Sequence, residues 1–265
     1  MNAVQLILYL FLGRETRYIR GTGVKHQGFE QQCFHFGRID PTPLSLWDFI
    51  QPLSMVMRPC VLIPAVVYAM IFLLAGVMIT VEVPQLFGPK FGFNTQQLGL
   101  QFIAVIIGSL IGEQMSGALS DYWMNRRKRK VGVSPQPEFR LWLSYPGELL
   151  AICGVVVFLV RIDQAPALHW NVTPLVGAAI ASVGNQIVTT VMITYAVDCY
   201  REEAASVGVF ITFVRQMWGF IGPFWFPPMF TNIGLLGSAG LATGLMVAVS
   251  LLPTVVLQWK GQSLR

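Results

Sequence analysis

CVLIPAVVYAMIFLLAGVMITV, residues 60–81, carries no charged side chain over 22 positions. An α-helix of that length reaches about 33 Å, which matches the hydrocarbon core of a bilayer. This segment reads as a membrane span and sets the fold class: an all-α integral membrane protein. The composition agrees, because 54% of the 265 residues are hydrophobic and only 12% are charged, against about 25% charged in soluble domains.

Working outward from residues 60–81, the next long apolar runs are 98–119, interrupted only by Glu113, and 141–160, interrupted only by Glu148. A fourth run, 172–197, has no charge but carries a polar series of Asn185, Gln186, Thr189, Thr190, Thr194 and Tyr195. Between Arg215 and Lys260 lie 44 residues without a charge, or about 66 Å of helix. One bilayer cannot hold that straight, so a break is expected near Pro227, Pro228, Thr231, Asn232 and Gly234. It yields a fifth span at 206–230 and a sixth at 233–257. Residues 1–12 form an apolar stub too short to span, read as the end of a longer helix or a segment lying in the interface. Residues 13–59 form a polar central segment, in which 44–57 suit an interfacial helix, and residues 258–265 form a polar tail.

Cys33, Cys60, Cys153 and Cys199 are widely separated and lack a Cys-x-x-Cys pair, and the three histidines stand at metal-ligand spacing from none of them. No metal site, cofactor or disulfide framework is expected. His-Glu-x-x-His, Gly-x-Ser-x-Gly and the glycine-rich nucleotide loop are all missing, so an enzyme is not expected. With both ends of the six-helix unit inside, fifteen Lys and Arg fall in inside segments and only Lys90 and Arg161 outside, with Arg215 left within a span. That imbalance predicts cytoplasmic ends and accounts for the formal charge of +5 without nucleic acid.

Specific residues sharpen this outline. Gly117-Ala-Leu-Ser-Asp121-Tyr-Trp-Met-Asn-Arg126-Arg127 resembles the Gly-x-x-x-Asp loop with trailing basic pair of major facilitator superfamily transporters, with Met124 where a second glycine is common and the basic pair one position late. Glu15-Thr16-Arg17-Tyr18, Arg58-Pro59, Gly112-Glu113, Pro137-Glu138-Phe139-Arg140-Leu141 and Thr194-Tyr195-Ala-Val-Asp198 are similar to a fungal multidrug-exporter-like branch. Arg14 stands where that branch commonly has proline. The resemblance covers residues 8–257 and implies helices seven to twelve of a twelve-helix carrier, without its N-terminal half. It further implies proton-coupled export of drug-like molecules or secondary metabolites from the plasma membrane, with a small-molecule substrate, the lipid bilayer, and a second copy or a separate N-terminal half as partners. The alternative is a truncated, transport-incompetent membrane protein acting as a fragment or assembly partner.

An ionisable group inside a membrane is expensive and needs a partner or a purpose. Glu113 and Arg215 are therefore expected to pair and to carry the proton or charge coupling, with Glu148 the weaker candidate because the resemblance makes its helix peripheral. Asn185, Gln186, Thr190 and Tyr195 are candidate substrate contacts, since the resemblance makes their span the cavity-lining tenth helix. Gly117, Asp121, Arg126 and Arg127 are the candidate cytoplasmic gate loop, held by ion pairing and helix-end contacts.

Overall fold

A computed structural model describes residues 4–5, 46–132 and 136–264. The backbone divides into two units, Met1–Leu46 and Trp47–Arg265. In the first, residues 4 and 5 are helical; the rest of the stub and of the segment 13–45, with Arg14 and Glu15–Tyr18, lies outside the described residues. Everything below concerns the second unit.

After a short helix α1, Leu46–Ser54, the chain enters α2, Pro59–Phe91. Proline at the first helical position needs no hydrogen bond there, which suits it to the start. Inside α2, residues Phe72–Val77 widen into a π segment, and Gly92 stops the helix with φ 69°, a conformation glycine adopts without penalty. The helix runs on past residue 81 to Phe91, so Glu82 lies within it and is 2% exposed.

Helix α3, Thr95–Val131, opens with a reciprocal cap. The Gln97 backbone N–H donates to Asn94 Oδ1 (2.9 Å) and the Asn94 N–H to Gln97 Oε1 (3.0 Å). Asn94→Ala removes the first of these bonds and is expected to lower stability by about 1 kcal/mol, read as a lower melting temperature in detergent. The 3₁₀ turn Pro137–Leu143 leads into α4, Ser144–Gln164, and α5 follows at Thr173–Cys199. The stretch from Ala204 to Leu264 is helical but folded on itself: Gly234 has φ 69° and ψ 174°. That break separates α6, residues 204–233, from α7, residues 235–264, giving six long helices, α2 to α7, among the described residues.

The helices are not equally enclosed. In the most apolar window of α2, 67% of the residues are buried, against 17% in α3. The α2 core includes Ile71, Leu74, Met78 and Phe87, and the Phe87 ring stacks on Phe158 of α4 at 6.3 Å. Helices α4 and α5 meet along small residues: a Cβ on Gly154 would lie 2.2 Å from the Ala181 nitrogen, and one on Gly184 2.3 Å from the Ala151 nitrogen. Lipid offers apolar side chains no reason to leave it, so close backbone approach through glycine and alanine holds such a pair by van der Waals contact. A polar seam ties α4 to α7. The Glu148 carboxyl, 0% exposed, meets Ser144 Oγ at 2.7 Å and Thr254 Oγ1 at 2.9 Å, and the Tyr145 hydroxyl donates to Gln258.

Candidate transport face and basic-end latch

Helices α3 and α5 touch backbone to backbone. A Cβ on Gly108 would fall 2.3 Å from the Ala179 carbonyl, and one on Gly112 2.8 Å from the Val183 carbonyl. That approach sets residues 113 and 116 opposite 186 and 190. Gln186 Nε2 donates to Glu113 Oε2 (3.0 Å), and Ser116 Oγ donates to Thr190 Oγ1 (2.9 Å), whose own hydroxyl reaches the Gln186 carbonyl (3.1 Å). Asn185 Nδ2 lies 3.5 Å from Gln186 Oε1. Three of the four candidate substrate residues, Asn185, Gln186 and Thr190, thus share one polar patch with Glu113.

Tyr195 does not join them. Helical residues advance by about 100° each, so the nine-residue step from Gln186 to Tyr195 turns the side chain to the opposite face. Tyr195 is 0% exposed, and its hydroxyl lies beside Gly261 of α7, next to Glu138. The spacings of four and five joined two faces that the fold keeps apart.

The expected ion pair between Glu113 and Arg215 is also absent; among the described residues the two have separate partners. Arg215 of α6 donates from Nη1 to the Tyr68 hydroxyl (2.9 Å), and its guanidinium lies over the Phe72 ring at 4.7 Å. Tyr68 and Phe72, one turn apart on α2, form an aromatic seat that takes a planar cation without a carboxylate. Glu113 is exposed on α3 and bonded to Gln186. Hydropathy placed both charges at similar depth and says nothing of their azimuth.

Further along the same helices, away from residues 113–116 and 186–190, α3 and α5 enclose an apolar groove of 740 Å³ lined by residues including Ile103, Ile107, Ile111, Val176, Ala179 and Val183. At the end of the bundle that carries Arg126–Lys130, ion pairs join the helix ends. Arg140 reaches Asp198 at the end of α5 (3.2 Å) and donates to Ser120 of α3 (2.9 Å), while Arg201 also meets Asp198 (3.3 Å). Arg58, at the start of α2, pairs with Glu203 (3.1 Å) and lies over the Tyr200 ring at 4.5 Å. Burial pushes the Tyr200 phenol above its ordinary value, while the Arg58 guanidinium acts the other way.

The candidate gate residues take other places. Asp121 and Arg126 are exposed and belong to none of the ion pairs among the described residues. Arg127 lies over Phe139 at 4.0 Å, and a Cβ on Gly117 would meet open space. The contacts at this end are made by Ser120, Arg140 and Asp198, which the sequence marked only as parts of resembling motifs. Their signal was there: Arg140 and Asp198 carry opposite charges at the same predicted side of the membrane.

Glu148 was set aside for the peripheral position of its helix, yet it is fully enclosed and bonded across to α7. Its one visible signal was an acid within an apolar run. Glu82, the other acid deep in a helix, has a buried Oε1 without a hydrogen-bond partner.

No family model matches the chain, and no solved structure matches it. Curated relatives do. The chain is 30% identical over 181 residues to "Probable efflux pump mfs2" of Aspergillus flavus, covering 66% of this chain and 41% of the relative. It is 29% identical over 220 residues to "MFS-type transporter penM" of Penicillium rubens, covering 81% and 42%, and 28% identical over 226 residues to "MFS-type transporter phm3" of a Pyrenochaetopsis species, covering 84% and 45%. The chain thus spans about two fifths of the length of the curated relatives it matches. Long apolar helices without strands among the described residues, together with this similarity, make the chain a member of the major facilitator superfamily, in its fungal efflux-pump branch.

Proposed function

We propose that the chain supplies helices seven to twelve of a secondary transporter that exports small, partly apolar molecules in exchange for protons. The carrying observation is the α3–α5 pair itself, which holds the Glu113–Gln186 and Ser116–Thr190 bonds and, further along the same two helices, a groove with apolar walls. Such a surface offers dispersion contacts to an apolar body and a few fixed polar groups for orientation. Transporters of this architecture hold substrate between two pseudo-symmetric bundles and rock one against the other. The latch of Arg140, Asp198 and Ser120 closes one end of such a cavity and opens when the bundles tilt. The relatives' names as efflux pumps and transporters support export, and the excess of Lys and Arg supports a cytoplasmic side for the latch end.

The test is purification in a mild detergent with light-scattering mass analysis, then dye flux in proteoliposomes under an imposed proton gradient. Gradient-dependent flux by a dimer, or by the chain together with an N-terminal half, is the expected result; folded monomer alone without flux in either setting refutes it. Glu113 is the residue through which the proton is proposed to act. Glu113→Gln keeps a side chain able to hydrogen-bond Gln186 but cannot exchange a proton, so gradient-dependent flux is expected to fall by at least about tenfold at unchanged melting temperature. Unchanged coupling removes Glu113 from the mechanism.

A further inference from the structure

Helix α3 is too long for its membrane. Its 37 residues extend about 55 Å, whereas the hydrocarbon core takes about 30 Å. The excess lies at the end that carries Arg126, Arg127, Lys128, Arg129 and Lys130. On that half of the helix Met115, Leu119, Tyr122, Arg126 and Arg129 follow one another at steps of three and four, so they form a single stripe. The stripe is uncovered: Met115 is 46%, Leu119 38% and Tyr122 59% exposed, and both arginines are exposed. Met115, Leu119 and Tyr122, with Gln114 and Ala118, also line an apolar groove of 400 Å³.

We propose that this stripe binds one anionic phospholipid, with the headgroup phosphate between Arg126 and Arg129 and an acyl chain along Met115, Leu119 and Tyr122. The charge order fits: an apolar track within the membrane leads through a tyrosine, at the depth where an amphipathic ring is stable, into two cations. Each Lys or Arg near an anionic membrane surface is attracted to it, and a fork of guanidinium donors matches a phosphate. Arg127 is excluded from the site because it lies over Phe139, whose ring stacks on Trp123 at 5.8 Å. Arg126 and Arg129 are exposed and continue the line of Met115, Leu119 and Tyr122. Asp121 is the acidic residue at this end of α3, and five basic residues outweigh it. The proposal needs α3 in a membrane and, where the proposed second bundle packs on the same ridge further along α3, needs that bundle to leave this stripe open to lipid.

The experiment is native mass spectrometry of the whole chain in mild detergent, titrated with phosphatidylserine, phosphatidylcholine, glycerophosphoserine or inorganic phosphate. One phosphatidylserine should be retained at a concentration at which phosphatidylcholine is not, and neither inorganic phosphate nor the chain-free headgroup should displace it. Arg126→Gln with Arg129→Gln should weaken retention by about tenfold or more, while Arg127→Gln leaves it unchanged. Equal retention of the two lipids by the unaltered chain overturns the proposal without any variant. So do displacement by free phosphate, which makes the site one for a soluble anion, and an equal loss in Arg127→Gln, which reduces it to pooled charge. A dimer that covers the stripe and excludes lipid also overturns it.

Discussion

Gly184→Leu is expected to abolish the folded bundle. Even the first added carbon would lie 2.3 Å from the Ala151 nitrogen and 2.5 Å from the Gly147 carbonyl, and both are backbone atoms that no rotamer change can move. Relief requires α4 and α5 to separate. Separation breaks the contact repeated at Gly154, where the Ala181 nitrogen stands as close, and removes the dispersion that holds this pair in lipid. A loss above about 4 kcal/mol follows, the range reserved for gross steric conflict. Gly240→Ala is the matched control, because a Cβ there meets nothing within 4 Å. It should be neutral or stabilise α7 by up to about 1 kcal/mol, since alanine is the better helix former. Monodisperse yield on size exclusion and the detergent melting temperature check both; a Gly184→Leu protein with the native melting point would show that α4 and α5 do not meet as described.

The second large effect lies at the latch. The Arg140 side chain is 14% exposed and that of Asp198 21%, so little water remains to solvate either charge once its partner is gone. Asp198→Ala leaves the guanidinium with Ser120 alone and is expected to destabilise the chain by about 3 kcal/mol. Arg140→Leu together with Asp198→Leu removes both charges, and the double variant should be more stable than the sum of the single losses predicts. Arg201, 78% exposed and on the same carboxylate, should matter little: Arg201→Ala is expected to cost under about 1 kcal/mol. Asp121→Asn, which removes an exposed and unpaired carboxylate, should change stability by under about 0.5 kcal/mol. A thermodynamic cycle by detergent denaturation measures these values. Additive losses at Arg140 and Asp198 would mean that the two do not act as a pair, and a large loss at Asp121 would return the clasp to the motif loop.

What the sequence by itself determined is whatever lies along one dimension. Run length and the scarcity of charge yield an all-α membrane protein, and the motifs from Gly117 to Asp198 yield its superfamily. That the 44 uncharged residues after Arg215 must turn is arithmetic of the same kind. The tertiary structure alone decided which residues meet. Arg215 seats on Tyr68 and Phe72 instead of Glu113, and Tyr195 faces α7 instead of the patch of Gln186 and Thr190. Arg140 rather than Arg126 pairs with Asp198, and Glu148 joins α4 to α7. Each of these depends on the rotation of one helix about its axis relative to the next. Hydropathy averages around the helix and discards that rotation; here it is set by where glycines such as Gly112, Gly154 and Gly184 let two backbones touch.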